Sequence, residues 1–467
     1  MHARRRLRIL ILTYFWVLIL EGALRKWIVP QLSNPLLIIR DPLAVMICAL
    51  AWYRGLYPRN GYMHVINTFA ILFFVVGIVQ IVWRADLNPL VVAYGWRTYV
   101  LHLPVIFISA EILTFEDIRL LGTWCCRIAG VMIVICVAQY YARSAGFLNA
   151  GTMADYDRTQ IAFEGEHVRP SGTFSFTTGV ANYFALTAAF AICRLMVHER
   201  RRAGRTMAYC ALASAAAYIP LSGGRLGILM VGIVLTLGAI LSIRRSLSNP
   251  KTWAAGAVVL AAIAIVAQTA VFQGIWGSME ARLVSARMVE DAELKWGFAT
   301  RIFGGFLSPI TDFGEVPMFV GKGLGLGTQV GSALQLGSVG DFLTGEGEWG
   351  RILGECGWFL GMVYVAFRVW LASDLFLRAL RVGWALSYWA PLLLWSAGAW
   401  TILQGQLGQP TNLGFFVIDA AAVLVALKGA ERAPPSLGQV VMGWSHRPAA
   451  AEIHPPAGPE LAGSDRT

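Results

Sequence analysis

The chain has 467 residues, 57% of them hydrophobic and 14% charged, with a formal net charge of +11. A soluble domain carries roughly 25% charged residues, and the mean hydropathy here is +0.60, so the composition excludes an ordinary soluble domain and describes an all-α polytopic membrane protein. The basic residues cluster in short loops, where the positive-inside rule puts them, so no nucleic-acid partner is expected.

A bilayer needs about 20 apolar residues per helix, and on that measure the chain reads as roughly twelve spans. The first five are Leu7 to Leu20, Pro35 to Trp52, His64 to Trp83, Thr98 to Leu113 and Ile118 to Tyr141. A loop over 142–171 follows, then spans from Phe174 to Val197, Met207 to Leu221, Leu226 to Ile243 and Thr252 to Phe272. The longest polar excursion covers 273–348, and the last three spans are Trp349 to Leu371, Trp384 to Leu403 and Asn412 to Leu427. The resulting organisation is 1–272 as nine spans, 273–348 as one large outer loop with short helices, 349–428 as three spans, and 429–467 as a disordered tail rich in Pro, Ala and Gly.

An even number of spans puts both termini on one side. That side then collects Arg4-Arg5-Arg6-Arg8, Arg54 and Arg59, Arg200-Arg201-Arg202-Arg205, Arg244-Arg245 with Lys251, and Arg378 with Arg381. This parity makes the termini cytoplasmic and turns the large loop outward. The basic start is followed by an apolar run but no small-residue cleavage site, so it reads as an uncleaved first span. The seven cysteines all lie in expected spans, and no Cys/His spacing suits zinc, so neither a structural disulfide nor a metal is expected.

The outward mouths of the spans are also basic, with Arg25, Lys26, Arg40, Arg84, Arg97, Arg169, Arg225, Arg301, Lys322 and Arg351. A charge toward the bilayer centre costs about 2.5–3.5 kcal/mol, so such residues need partners, water or a ligand. Guanidinium groups facing a common cavity would suit a phosphate or diphosphate; the alternative is that each snorkels to lipid headgroups. Arg40 and Asp41 read as lying about two turns inside the second span, each needing a different partner because neighbours on a helix do not face each other. Ser222-Gly223-Gly224-Arg225 reads as a tight reversal that leaves Arg225 at a helix N-terminus; phosphate holding and simple interfacial anchoring are both open.

In the large loop, Met279 to Phe303 has the spacing of a surface helix ending near Arg301. The run Gly321-Lys-Gly-Leu-Gly-Leu-Gly327 fits no nucleotide-loop pattern; its glycines suit a segment folding back over the spans. Glu348, Arg351 and Glu355 share one helical face, either as a salt-linked helix entrance or as a base or sugar-binding carboxylate beside a phosphate-binding Arg. His167 is the outer-loop histidine, while His102 reads as a helix–helix hydrogen bond.

Several of these stretches, in this order, resemble the O-antigen ligase and O-antigen polymerase family of bacterial membrane proteins. They are Glu21-Gly-Ala-Leu-Arg-Lys-Trp-Ile-Val-Pro30 with Ile39-Arg-Asp-Pro42, which is similar to an exopolysaccharide-polymerase-like branch, then Arg169-Pro-Ser-Gly-Thr-Phe174, Ser222-Gly-Gly-Arg225, the glycine run, and Glu348-Trp-Gly-Arg-Ile-Leu-Gly-Glu355. The resemblance implies a fold similar to the C-type glycosyltransferases. It implies transfer of a glycan from undecaprenyl diphosphate to an acceptor hydroxyl at the outer face of the inner membrane, without metal or cofactor. Membrane lipid and other polysaccharide assembly proteins are the implied partners.

Under that resemblance Arg225 matches the turn arginine by motif and Arg301 the large-loop arginine by position. These two and Glu348 are the candidate catalytic residues, and Arg97, Arg169, Arg351, Glu355 and His167 the candidate substrate-binding residues. The family's ligases carry a histidine near the end of the large loop where this chain has Glu348, which favours a polymerase over a ligase. A lipid-linked glycan flippase is the rival reading; it would want matched halves with broken helices, which the sequence does not display.

Overall fold

A computed structural model describes residues 2–33, 35–143, 146–150, 167–196, 202–246, 319–328 and 347–431, with a few isolated positions between 268 and 334. The expected span 252–272, the surface helix with Arg301, and the tail beyond 431 therefore lie outside the described residues.

The helices, in chain order, are α1 (His2–Ala23), α2 (Asp41–Tyr53), α3 (Gly61–Trp83), α4 (Pro89–Trp96), α5 (Leu103–Ile112), α6 (Phe115–Tyr141), α7 (Thr177–Met196), α8 (Arg202–Leu221), α9 (Arg225–Ser246), α10 (Glu348–Cys356), α11 (Trp358–Leu386), α12 (Ala390–Gln404) and α13 (Pro410–Glu431). Among the described residues nine helical stretches are long and apolar enough to cross a membrane. The chain is thus a helical, membrane-embedded protein. Of the other expected spans, α8 and α12 are helical; α12 has 15 residues, short of the ~20 a bilayer needs.

Local chemistry sets the helix starts. The Asn60 side chain accepts from the Met63 amide, and Asn88 from Leu90, so each N-terminus gains a partner for an orphan N–H. Thr114 and Asp117 form a reciprocal capping box at the start of α6. Pro42 sits in the first turn of α2, where its missing N–H costs nothing.

Several boundaries differ from the sequence expectation. The expected second span begins at Pro35, but residues 35–38 form a short 3-10 turn and α2 begins at Asp41, so Arg40 and Asp41 sit at a helix start and not two turns inside it. The fourth span runs continuously from Pro89 to Ile112, through a wide π turn at Arg97–Leu101 between α4 and α5. A second π turn, Leu24–Ile28, extends α1. The expected helix from Trp349 breaks at Gly357, whose φ of +79° suits a residue without a Cβ, and the break separates short α10 from long α11.

At the centre stands α13, apolar on all sides before its last turn apart from Thr411, Asn412 and Asp419 and buried nearly throughout, as a helix enclosed by others must be. It packs against α12, α5, α11, α7, α6 and α1. By contrast α3 exposes Ile71, Phe74, Val75, Ile78, Val82 and Trp83 along one face, an apolar face of the kind that lipid solvates. The two ends of the bundle are pinned differently. At the N-terminal end, Arg8 pairs with the buried Asp117, and Arg4 and Lys428 pair with Glu111; all but Asp117 are at least partly exposed. The opposite end carries 168–175, 222–225, 319–328 and 405–410, and most of the ion pairs there are buried.

Candidate functional site

The buried end is built from two ion-pair clusters and a cavity between elements that they hold. The first cluster starts at Glu21, near the end of α1. Its carboxylate accepts from Arg40 Nε at 3.0 Å and lies 3.6 Å from Arg25 NH1. Arg25 also donates to Ser175 Oγ (2.9 Å) and to the Ser33 carbonyl (2.9 Å). Asp41 takes both prongs of Arg97, at 2.6 and 2.8 Å, and a contact from His102 Nε2 at 3.1 Å, while His102 Nδ1 meets the Tyr14 hydroxyl at 3.0 Å. Arg40 and Asp41 do face different partners, on α1 and on the α4–α5 stretch.

Lys26 is 2% exposed and donates to Ser171 Oγ (2.8 Å) and the Gly172 carbonyl (2.7 Å). The Gln139 side chain accepts from the Ser171 and Gly172 amides from the other side. The segment 169–175 is therefore wedged against the end of α1, and a Cβ on Gly22 would collide with the backbone of Thr173 to Ser175. The stretches Glu21–Pro30, Ile39–Pro42 and Arg169–Phe174, far apart in sequence, meet here.

The second cluster is centred on Glu348 and Glu355 of α10. Arg351 bonds Glu348 through Nε (2.9 Å) and NH2 (2.8 Å), and Glu355 through NH1 (2.9 Å). Glu348 also accepts from Arg368 NH1 (3.3 Å) and the Leu407 amide (2.9 Å). Glu355 accepts from the Tyr99 hydroxyl (2.8 Å) and the amides of Gly325 (3.0 Å) and Gly327 (2.8 Å). Burial works against the Arg351 charge, but the two carboxylates outweigh it and hold its pKa well above the ordinary value.

The glycine run docks onto this cluster. Gln80 of α3 donates to the carbonyls of Val320 and Glu355 and accepts from the Leu324 amide (2.8 Å). Gly325 has φ +82° and packs backbone to backbone on Gly95 of α4; a Cβ on either would strike the other strand of chain. The run folds back over α3 and α4 as a covalent continuation of the large loop.

Between the clusters runs the turn 405–410, which joins α12 to α13. Arg368 donates to the carbonyls of Thr401, Ile402 and Gly405, Glu348 takes the Leu407 amide, and Arg40 donates to the Pro410 carbonyl. The two clusters thus clamp the same turn from opposite sides. Beside it is a cavity of about 200 Å³. Its walls come from Thr178 and Asn182 of α7, Trp400, Thr401 and Gln404 of α12, Gln406 of the turn and Asn412 of α13. Leu226, in the first turn of α9, closes one side, so the Ser222–Arg225 turn, with Gly223 at φ +53°, sits immediately before a cavity wall. Glu348 is the ionisable residue among the described lining residues.

The sequence-named residues divide accordingly. Arg97, Arg351, Glu348 and Glu355 are buried and paired within the clusters. Glu348 takes three of its hydrogen bonds on Oε1, from Arg351, Arg368 and the Leu407 amide, and one on Oε2, from Arg351, so its carboxylate ties α10 to α11 and to the turn 405–410. Arg225 is half-buried beside the cavity, and Arg169 half-buried at the start of the wedged segment. His167 stacks on Tyr140 at 4.3 Å and faces the Tyr140 carbonyl, and is not among the cavity-lining residues. Arg301 lies outside the described residues. The arginines are therefore not all gathered in one open pocket. Sequence reasoning missed Arg368, Gln80, Asn182, Gln404 and Asn412. A signal existed for Arg368, a cation about ten residues inside a long, mostly apolar helix.

Among the described residues, no cluster of His, Cys, Asp and Glu has the arrangement to hold a metal ion. Comparison with known proteins finds no family model that matches the chain and no significant match among curated proteins.

Proposed function

We propose that the chain is a membrane glycosyltransferase of twelve spans that extends a polysaccharide from undecaprenyl diphosphate-linked repeat units at the outer face of the bacterial cytoplasmic membrane. The observation that carries this reading is the polar cavity beside the Ser222–Arg225 turn, at the end of the bundle that the charge pattern turns outward. The order of the quoted stretches supports it, because those stretches are the ones that build this end.

In the proposed reaction an acceptor hydroxyl attacks the anomeric carbon of the lipid-linked unit. A new C–O bond forms, the bond to the diphosphate oxygen breaks, and the electron pair leaves with the diphosphate. Arg225 stabilises that developing charge at a helix N-terminus, with Arg169 and Arg301 as further candidates. Glu348, paired with Arg351 and Arg368, holds the site's frame, and the hydroxyl proton ends on the departing diphosphate or on water.

Arg225→Ala is expected to abolish the surface glycan ladder on a gel while protein level and melting temperature stay unchanged; an unchanged ladder sinks the diphosphate role. In a strain lacking the gene, single repeats left on the carrier lipid identify a polymerase, and long chains left there identify a ligase. Purified protein that lengthens a lipid-linked oligosaccharide without an ion gradient separates both from a flippase.

A further inference from the structure

The cavity's chemistry differs from what a diphosphate needs. Its lining presents amides and hydroxyls, and its ionisable member, Glu348, is already neutralised by Arg351 and Arg368. No arginine or lysine is among the described lining residues. A doubly charged anion placed there would face amide dipoles and a carboxylate, and its desolvation would go uncompensated.

The amides form a connected array with open ends. Thr178 donates to Gln409 Oε1 (3.3 Å), and Asn412 Nδ2 donates to the same oxygen (3.0 Å). Asn182 donates to the Thr178 carbonyl (2.9 Å) and accepts from the Thr401 hydroxyl. Two atoms of cavity-lining side chains are buried with no hydrogen-bond partner among the described residues: Gln404 Nε2, a donor, and Asn412 Oδ1, an acceptor. Both residues are more than nine-tenths buried, at 8% and 4% exposure. A buried polar atom without a partner costs about 1–3 kcal/mol, so such a pair marks a place where water or a ligand supplies the missing partners.

A ligand that meets one free donor and one free acceptor is one whose groups do both, and a hydroxyl does both. Trp400 adds an aromatic surface to the same wall, and an aromatic face suits the C–H side of a sugar ring. Size agrees. The cavity volume is about 200 Å³. It is below the roughly 300–1,000 Å³ of pockets for larger ligands. It therefore takes one pyranose ring and not a whole repeat unit.

From this we infer that the cavity is a subsite for a single uncharged, polyhydroxylated sugar ring, held by Gln404, Asn412 and Asn182 against Trp400, with any charged part of the ligand left outside it near Arg225. That the ring belongs to a lipid-linked glycan rests on the reading above; the binding chemistry does not.

The test is saturation-transfer NMR on the full-length protein in detergent, with methyl glycosides of glucose, galactose and N-acetylglucosamine as probes and inorganic pyrophosphate as competitor. The expected result is saturable binding of at least one glycoside, weakened about tenfold by Gln404→Met or Asn412→Leu. Binding is expected to be unaffected by Arg225→Ala or by pyrophosphate. Should those variants fail to fold, Gln404→Glu removes the same donor in the same shape and is expected to weaken binding similarly. The proposal is overturned if no glycoside binds the folded protein, if binding is unchanged in the Gln404 and Asn412 variants, or if pyrophosphate displaces the sugar. The outcomes separate from those for the reaction. Sugar binding with an intact glycan ladder in Arg225→Ala defeats the diphosphate role alone, and a lost ladder with no sugar binding defeats this subsite alone.

Discussion

The α10 cluster and the amide-lined cavity share a wall at Glu348, yet they are opposite kinds of polar interior. Around Glu355, every hydrogen bond the carboxylate can accept comes from the protein itself, from Arg351, Tyr99 and two glycine amides. In the cavity, Gln404 and Asn412 each leave an atom open. A saturated cluster has no bonding capacity left for a ligand and serves to specify one arrangement of helices. An unsaturated one is poor at holding helices together and good at recognising something else. High charge in the buried end of this protein thus marks its scaffold, and modest neutral amides mark its candidate binding surface.

Three substitutions would break or sharpen that contrast. The largest effect is expected from Glu355→Ala, which strands Arg351 and two glycine amides in a buried place. Removing one partner of a buried ion pair costs about 3–5 kcal/mol, so the detergent-solubilised protein should melt far below the parent or fail to accumulate. A melting curve like that of Gln404→Met would erase the distinction between scaffold and cavity. A smaller loss, about 2 kcal/mol, is expected for Asp41→Asn, because charge-assisted hydrogen bonds are worth about 1.5–3 kcal/mol each and the amide keeps one of them. Asp41 is partly exposed, which also softens the loss. Least is expected of Gln80→Leu, about 1 kcal/mol from unpaired backbone groups at Val320 and Leu324. Its signature is local: hydrogen exchange at the Leu324 amide should quicken while the melting temperature barely moves.

Much of this end was legible in the chain. The Glu348–Arg351–Glu355 face follows directly from i, i+3 and i, i+4 spacing, and the structure realises it as a salt-linked helix entrance. The demand that Arg40 and Asp41 find separate partners also follows from helix geometry. Which partners they find does not: Glu21 and Arg97 reach them through tertiary packing that no local pattern encodes. The outward arginines drew attention because charge is rare in an apolar sequence. Rarity, however, does not reveal whether a carboxylate waits across the fold, and for Arg97 and Arg351 one does. Asn182, Gln404 and Asn412 drew none, because a single neutral amide in a span has no spacing signature and is commonly a helix–helix contact. Their convergence depends on how α7, α12 and α13 cross. Gly357 was equally hard to foresee as a break, since a glycine within an apolar run is usually tolerated as helix.

The two π turns carry a consequence for how this end tolerates change. Leu24–Ile28 delivers Arg25 and Lys26, and Arg97–Leu101 delivers Arg97. A wide turn of this kind amounts to one extra residue accommodated inside a helix. Excising a single residue from either would restore regular winding and leave the helix beyond it nearly in phase, because the wide turn takes up its extra residue locally. What would change is the widened stretch itself, which presents Arg25 and Lys26 to Glu21 and Ser171, and Arg97 to Asp41. Single-residue deletions in these five-residue windows should therefore leave the bundle in register and act chiefly on those buried polar contacts.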